Sequence, residues 1–174
     1  MILLKNLSGK KIGVLGLGIT GYSLILSALR SGARVICWDD NKKKRDEAEK
    51  KGYEVVDLSI KSEMQELDLL LVSPGIPHLY PNTHQILKIA YCQNIEVDND
   101  IGLFFSHYLS LDYENFDREP KVIAITGSNG KSTVTALAGH VLTQVFEDVK
   151  VGGNIGRPVL EFEEFKSGSI RIIE

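Results

Sequence analysis

The chain has 174 residues, of which 43% are apolar and 25% are charged, and its formal net charge is −3. This balance is typical of a globular protein with a buried core, and it excludes a global basic field that would attract nucleic acid or an anionic membrane. No apolar run approaches the ~20 residues of a membrane span, and no signal peptide is evident, so we expect a cytosolic protein. We also expect it to be a monomer. The two cysteines, Cys37 and Cys92, are predicted to be buried free thiols.

Strands and helices alternate along the first part of the chain. The pattern predicts strands at 11–16, 33–38, 53–56, 67–72 and 95–97, and helices at 22–30, 41–51, 82–92 and 101–107. Such alternation is typical of a parallel sheet that is covered by helices on both faces, the doubly wound α/β class. We therefore predict a Rossmann-like domain over residues 1–110.

A second α/β segment follows an acidic, aperiodic stretch at 111–120, which is predicted to be a linker. Within residues 121–174 the pattern predicts a strand at 121–126, a helix at 130–145, a strand at 149–151, a short helix at 158–165 and a strand at 169–173. We expect this segment to be the incomplete start of a P-loop-type ATPase domain. Its last strand is expected to form an unpaired edge, and Glu174 a poorly held terminus.

The first strand leads into a glycine-rich turn. Gly16, Gly18 and Gly21 form a G-x-G-x-x-G pattern before a helix, and Asp39 ends the second strand. The glycines permit a tight turn and close approach of a phosphate, and an acidic residue at Asp39 can accept hydrogen bonds from a ribose. The turn alone predicts NAD or another nucleotide diphosphate. Only one Rossmann half is evident from the sequence, which favours a uridine nucleotide over a dinucleotide.

A second glycine-rich turn carries a stronger signal. The β-branched run 122–126 leads into Gly-Ser-Asn-Gly-Lys-Ser-Thr at 127–133. Backbone N–H groups and the helix start would face triphosphate oxygens, Lys131 would add a full charge, and the Ser132 hydroxyl would coordinate Mg²⁺. The common P-loop spacing requires glycine where Ile125 stands, so the loop is shorter than in generic P-loop GTPases. It predicts ATP binding.

Two nucleotide loops in one short chain resemble the amino-terminal part of the Mur ligases of peptidoglycan synthesis, especially those that add D-glutamate. The matching segments are 16–21, Asp39, 73–76, 100–104, 123–135 and Val151-Gly-Gly-Asn-Ile-Gly156, in family order over nearly the whole chain. The loop at 127–133 and the segment at 151–156 are the most diagnostic of these.

The resemblance implies a role for particular residues. The UDP part of the substrate would contact Gly18, Ile19, Thr20, Gly21, Asp39, Asp40, Gly75 and Asn154. The ATP phosphates would contact Gly127, Ser128, Asn129, Gly130, Lys131, Ser132 and Thr133, with Lys131 catalytic. Ser132 and Glu174 would bind Mg²⁺.

The resemblance also implies the reaction, an ATP-driven ligation of D-glutamate to UDP-N-acetylmuramoyl-L-alanine through an acyl phosphate. Family members continue into further parts that hold the amino acid, so the 174-residue chain is expected to bind nucleotide without turnover. Two alternatives stay open, an NAD-dependent or nucleotide-sensing Rossmann protein and a non-catalytic UDP-sugar-binding fragment. The basic run at 42–45 is interpreted as a solvated helix face, because acidic residues follow it directly.

Overall fold

The computed structural model describes all 174 residues and divides into two compact units. The first unit comprises residues 3–103, and the second unit comprises residues 1–2 together with 104–174. The predicted domain boundary at 110 and the linker at 111–120 stay predictions. No helix is both long and apolar enough to cross a lipid bilayer.

The first unit is a five-stranded parallel sheet with helices between its strands. Its elements are β1 (Lys11–Leu15), α1 (Ile19–Arg30), β2 (Arg34–Trp38), α2 (Lys42–Lys50), β3 (Glu54–Val55), α3 (Lys61–Gln65), β4 (Leu69–Val72), α4 (Gln85–Cys92), β5 (Val97–Asp98) and α5 (Asp100–Leu109), which ends in the second unit. The strand order is β3-β2-β1-β4-β5. The predicted α/β class with a parallel sheet is confirmed.

The strand order corrects one expectation from the sequence. Strands lie on both sides of the β1–β4 pair, with β2 and β3 on one side and β5 on the other. All pairings are parallel, but successive strands are added on one side of β1 up to β3 and on its other side from β4 onwards. The position between β1 and β4 is therefore the switch point at which nucleotides bind in such sheets. The expectation of a single Rossmann half is wrong, because local periodicity does not report which side of the sheet a strand joins.

The central strands of this sheet are buried because their side chains are apolar on both faces. Val14 and Leu15 of β1 and every residue of β4 are buried. One face packs on α3 and α4, where Met64, Ile86 and Leu87 complete the core. Near-continuous apolar runs are typical of parallel strands that are covered on both faces. Both cysteines are free thiols; Cys37 on β2 is buried as predicted, whereas Cys92 at the end of α4 is exposed, contrary to the prediction.

The second unit contains a smaller parallel sheet. Its elements after α5 are β6 (Lys121–Ala124), α6 (Lys131–Leu142), β7 (Val149–Gly152) and β8 (Ile170–Ile173), and the strand order is β6-β8-β7. The last strand is thus the central one, and all four of its residues are buried. The expected unpaired edge at 169–173 is wrong, and β6 and β7 form the edges instead.

The predicted helix at 158–165 is also wrong, since only a single 3₁₀ turn forms at Val159–Glu161. The apolar residues Leu160, Phe162 and Phe165 are all buried. Residues 160 and 162 would point to nearly opposite sides of an α-helix, so a helix that buries only one face would leave one of them exposed. Phe162 is extended, with φ −60° and ψ 151°, which lets these side chains reach one core.

A buried arginine organises the core of the second unit. Arg171 on β8 is fully buried, and its Nη2 lies 3.0 Å from Oδ2 of Asp148. Its guanidinium also lies 5.1 Å from the centre of the Phe165 ring, a cation–π arrangement. Ser169 donates its hydroxyl to the same carboxylate. The charge of Arg171 is therefore paired, as a buried cation requires.

Candidate functional site

A cavity of about 270 Å³ lies at the carboxyl end of β1 in the first unit. Its lining comprises Gly16, Gly18, Ile19, Thr20, Asp39, Lys44, Ser73, Pro74, Gly75 and Ile76. Helix α1 starts at this cavity with Gly18 at its N-cap position, no side chain caps it, and no acidic residue stands in its first turn. The unsatisfied N–H groups of a helix start attract anions. The cavity therefore suits a phosphate group.

Asp39 holds the glycine-rich turn in place. Its Oδ2 accepts the backbone N–H of Leu17 at 2.8 Å, and its Oδ1 accepts the N–H of Asn41 at 2.9 Å. Burial alone raises the pKa of Asp39, but the hydrogen bonds from Leu17 and Asn41, together with Lys44, lower it below its ordinary value. The carboxylate is therefore ionised near neutral pH, and most of its lone-pair directions already have partners.

The opposite wall of the cavity is the turn after β4. Ser73 donates its hydroxyl to the carbonyl of Gly16 at 2.8 Å, and its backbone N–H donates to the carbonyl of Leu15 at 3.0 Å. Gly21 fits tightly beneath this junction, since a Cβ atom there would lie 1.9 Å from the Gly16 oxygen. The glycine at this position therefore permits close packing of the turn, whereas Gly18 faces open space.

Five of the predicted substrate residues line this cavity, and three do not. Gly18, Ile19, Thr20, Asp39 and Gly75 are on its wall. Gly21 is buried beneath the turn. The Asp40 carboxylate lies 2.8 Å from Nε2 of His84, to which it is hydrogen-bonded. Asn154 belongs to the second unit. The binding roles of all eight residues stay predictions. The segment 73–76 is the sequence signal for the β4 turn, and Gly75 is the only residue of it among the predicted substrate contacts.

The basic run at 42–45 is partly a component of the site rather than a solvated face. Lys44 lies with its Nζ 3.1 Å from Oδ2 of Asp39 and lines the cavity. Arg45 donates to the carbonyls of Asp39 and Asp40 at 2.7 and 2.9 Å, and it covers the ring of Trp38 at 4.3 Å. The solvated-face interpretation is wrong for these two residues, because the start of α2 turns them back over β2. It holds for Lys42 and Lys43, which are exposed.

The second glycine-rich loop lies in the second unit, between β6 and α6. Gly130 is the N-cap of α6 and adopts the left-handed conformation, with φ +76°. No side chain caps this helix, and no acidic residue stands in its first turn. The ammonium of Lys131 donates to the carbonyl of Gly127 at 2.8 Å. The loop residues from Gly127 to Gly130, and Ser132 and Thr133 after them, are exposed, so their polar groups are accessible to a phosphate chain.

Glu174 follows β8 at the same edge of the smaller sheet as this loop. Its backbone N–H donates to the carbonyl of Gly152 at 3.0 Å, and its carbonyl accepts the N–H of Asn154 at 3.2 Å. The expectation of a poorly held Glu174 is therefore wrong. Oε2 of its carboxylate is buried and has no hydrogen-bond partner. Such an orphaned oxygen is compatible with a hard cation such as Mg²⁺, although no cluster of three acidic, histidine or cysteine ligands is present.

Comparison of the sequence with known proteins places this chain in a family. Residues 10–97 match the family model described as Mur ligase MurD-like, N-terminal domain, which covers half of the chain. The whole chain is 42% identical over 174 residues to the UDP-N-acetylmuramoylalanine--D-glutamate ligase of Ruegeria pomeroyi. It is 43% identical, again over 174 residues, to the enzyme of the same name from Dinoroseobacter shibae. The chain spans 37% and 38% of the lengths of these two relatives.

Among solved structures, shikimate dehydrogenase from Aquifex aeolicus aligns with a TM-score of 0.44 at 18% identity, over 56% of this chain and 44% of that one. A likeness at this level carries no information on function. The match over residues 10–97 covers the sheet and the cavity of the first unit, and the relatives match both units. The chain therefore belongs to the Mur ligase family, through a MurD-like N-terminal domain.

Proposed function

We propose that this chain carries the UDP-substrate site and the ATP phosphate loop of a ligase that joins D-glutamate to UDP-N-acetylmuramoyl-L-alanine. The observation that carries the proposal is 42% identity over all 174 residues to a curated ligase of that name. The reaction would be ATP-driven amide formation through an acyl phosphate, in cytoplasmic synthesis of peptidoglycan precursors. The chain spans 37% of that relative's length, so we propose that turnover requires further polypeptide.

In the first unit, the proposed role of the cavity is to hold the uridine diphosphate. The start of α1 presents free N–H groups and the Thr20 hydroxyl to the phosphates. Ile19 is 78% exposed at the cavity, so it offers an apolar surface to a flat base or sugar. Gly75 leaves the opposite wall open, since a Cβ atom there would meet nothing within 4 Å.

In the second unit, the proposed ligand is the triphosphate of ATP with its Mg²⁺. Lys131 and the N–H groups at the start of α6 would neutralise and orient the phosphate oxygens. Ser132 and Glu174 would hold the metal, and Asn154 is fixed beside Glu174 through its backbone. ATP supplies an activated phosphoryl group, which converts a carboxylate into an acylating agent. The protein residues bind and orient, and none is needed as a nucleophile.

The competing interpretation is an NAD-binding protein, and the site geometry disfavours it. An NAD-binding site uses the acidic residue after β2 to accept the ribose hydroxyls. Here the Asp39 carboxylate already accepts two backbone N–H groups and lies 3.1 Å from the Lys44 ammonium. Little capacity remains for a ribose diol, because a carboxylate has about four lone-pair positions.

Calorimetric titration of the 174-residue chain tests this proposal. We expect UDP-N-acetylmuramoyl-L-alanine and UDP to bind more tightly than NAD. Thr20→Val removes one hydroxyl from the cavity wall and should weaken UDP binding, whereas Thr143→Val, whose hydroxyl donates to the His140 carbonyl in the second unit, should not. Tighter binding of NAD than of UDP would contradict the proposal.

A further inference from the structure

Lys44 is the only cation on the wall of the nucleotide cavity. Its Nζ lies 3.1 Å from Oδ2 of Asp39, and its side chain is 43% exposed. Arg45, the next residue, donates only to backbone carbonyls and does not line the cavity. The two residues therefore differ in function: Arg45 anchors the loop after β2, whereas the ammonium of Lys44 is available to a ligand.

The neighbouring carboxylate gives this ammonium a specific task. Asp39 is the only acidic residue on the cavity wall and is itself only 7% exposed. A nucleotide diphosphate that enters the same cavity brings at least two negative charges close to this carboxylate. Like charges a few ångströms apart repel strongly where water is partly excluded. An adjacent cation removes that penalty and can also donate to a phosphate oxygen.

We propose that Lys44 is a specificity residue that contacts the ligand's pyrophosphate and selects phosphorylated uridine nucleotides over uridine. This inference rests on the proposed function of the cavity. In the free chain the ammonium is held on Asp39, so it is positioned before the ligand arrives. When the ligand binds, the Lys44 ammonium contacts both its pyrophosphate and the Asp39 carboxylate. This one positive charge, at the rim of the cavity, then compensates both anions.

A purely structural role for Lys44 makes a different prediction. If the ammonium only held Asp39 against the turn, its loss would loosen the Leu17 and Asn41 contacts and distort the whole cavity. Binding of uridine and of UDP would then fall by the same factor. A contact with the pyrophosphate affects only the ligand that carries phosphates, so the two ligands separate the two roles.

The test compares Lys44→Met, Lys44→Arg and Lys43→Met in the 174-residue chain. Lys43→Met removes the same charge from the exposed neighbouring position, so it controls for the net charge of the helix. UDP affinity is measured by calorimetry, and uridine affinity by ligand-detected NMR, which reads millimolar binding. We expect Lys44→Met to weaken UDP binding about tenfold and to leave uridine unchanged. Lys44→Arg should retain most of the affinity, and Lys43→Met should resemble the wild type.

Salt provides a second readout, because the difference between wild type and Lys44→Met should shrink as ionic strength rises. Equal UDP affinity of wild type and Lys44→Met would overturn the inference while leaving the proposed function intact. A parallel loss of UDP and uridine binding would also overturn it, in favour of the structural role. Failure of the wild-type chain to bind UDP would contradict the proposed function, and this inference with it.

Discussion

The two glycine-rich turns of this chain share a backbone design but differ in what surrounds them. In each, a parallel strand leads through glycines into a twelve-residue helix whose N-cap is a glycine without a side-chain cap. The turn after β1 lies against a second turn, from Ser73 to Ile76, and the two enclose a cavity. The turn after β6 is exposed and is closed only by Lys131, which donates to Gly127.

The helices that follow the two turns also differ in burial, and the helix of the first turn is the more buried one. Helix α1 buries Leu24, Ile25 and Ala28, and it adjoins a strand that is buried at four of five positions. Helix α6 buries only Thr135 and Gly139, and it leaves Leu137 60% exposed. A glycine pattern thus specifies how the backbone turns, whereas a cavity also requires a wall from a distant segment. The comparison predicts that packing determines which substitutions the first turn tolerates. In the second turn, backbone conformation and charge should determine this instead.

The largest effect is expected for Gly21→Ala in the first turn. The new Cβ would lie 1.9 Å from the Gly16 carbonyl oxygen and 3.1 Å from Oγ of Ser73, so the junction of the two turns must open. We expect the first unit to lose at least about 3 kcal/mol of unfolding free energy. Trp38, the single tryptophan, lies in this unit, so its fluorescence during urea titration reports the change.

Gly18→Ala is the matched control for this substitution. Gly18 has φ −90°, which other residues adopt readily, and a Cβ atom there would meet nothing within 4 Å. We expect a change of less than about 1 kcal/mol. Similar destabilisation by both substitutions would show that the close approach of position 21 to Gly16 does not govern this turn.

The next effect concerns the charge on the second turn. Lys131→Met keeps most of the length of the side chain but removes the ammonium that would neutralise phosphate oxygens. We expect about a hundredfold weaker binding of Mg²⁺–ATP, with UDP binding unchanged because the cavity lies in the other unit. Lys121→Met, at the start of β6, is the control and should leave ATP affinity unaffected. Undiminished ATP affinity of Lys131→Met would mean that this loop is not the ATP site.

A smaller effect is expected from the buried charge pair of Arg171 and Asp148 in the second unit. Asp148→Asn leaves the fully buried Arg171 without its counter-ion, which should cost the second unit about 2–3 kcal/mol at neutral pH. Partial burial raises the pKa of Asp148, but hydrogen bonds from Ser169 and Arg171, with the charges of Arg171 and Lys150, lower it below its ordinary value. A carboxyl group whose pKa is lowered by folding stabilises the folded state at pH values above its unfolded-state pKa. That contribution is lost as the pH falls through the folded-state pKa.

The second unit should therefore lose stability as the pH falls from about 5 through the lowered pKa of Asp148. Asp148→Asn should remove this component of the pH dependence, whereas Glu147→Gln, at the exposed neighbouring position, should retain it. Thermal unfolding followed by far-ultraviolet circular dichroism at several pH values measures both. An unchanged pH profile in Asp148→Asn would assign the dependence to other carboxyl groups.

The sequence predicted the local parts of this molecule better than its long-range parts. The order of the strands follows from periodicity, but the short helix α3 is not predicted and the helix expected at 158–165 does not form. The cavity residues Gly18, Thr20 and Asp39 are predicted because they lie within the contiguous β1–α1–β2 segment. The wall at Ser73 was missed as a component of the cavity, because its hydrogen bond to Gly16 spans 57 residues. No local pattern reports such a contact.

Two further errors have the same physical origin. The central position of β8 depends on its pairing with β6 and β7, and a run of isoleucines is equally compatible with an edge or a centre. Lys44 was assigned to a solvated face because charged neighbours surround it in sequence. Its position over Asp39 depends on the angle at which α2 leaves β2, which the composition of the run does not encode.

The smallest effect, and the one that separates the two turns most directly, is expected at Gly130. Its φ of +76° is unfavourable for residues with a Cβ atom, yet a Cβ atom there would meet nothing within 4 Å. Gly130→Ala should therefore cost the second unit only about 1 kcal/mol, all of it from backbone conformation. Gly130→Asn should cost less, because asparagine tolerates the left-handed region better than alanine. At Gly21, where packing determines the effect, asparagine should cost more stability than alanine. Asparagine is the larger residue, and no conformational preference compensates for its size. Circular dichroism, which reports both units, and Trp38 fluorescence, which reports the first unit, together measure the four variants. The same order of alanine and asparagine at both positions would refute the distinction between the turns.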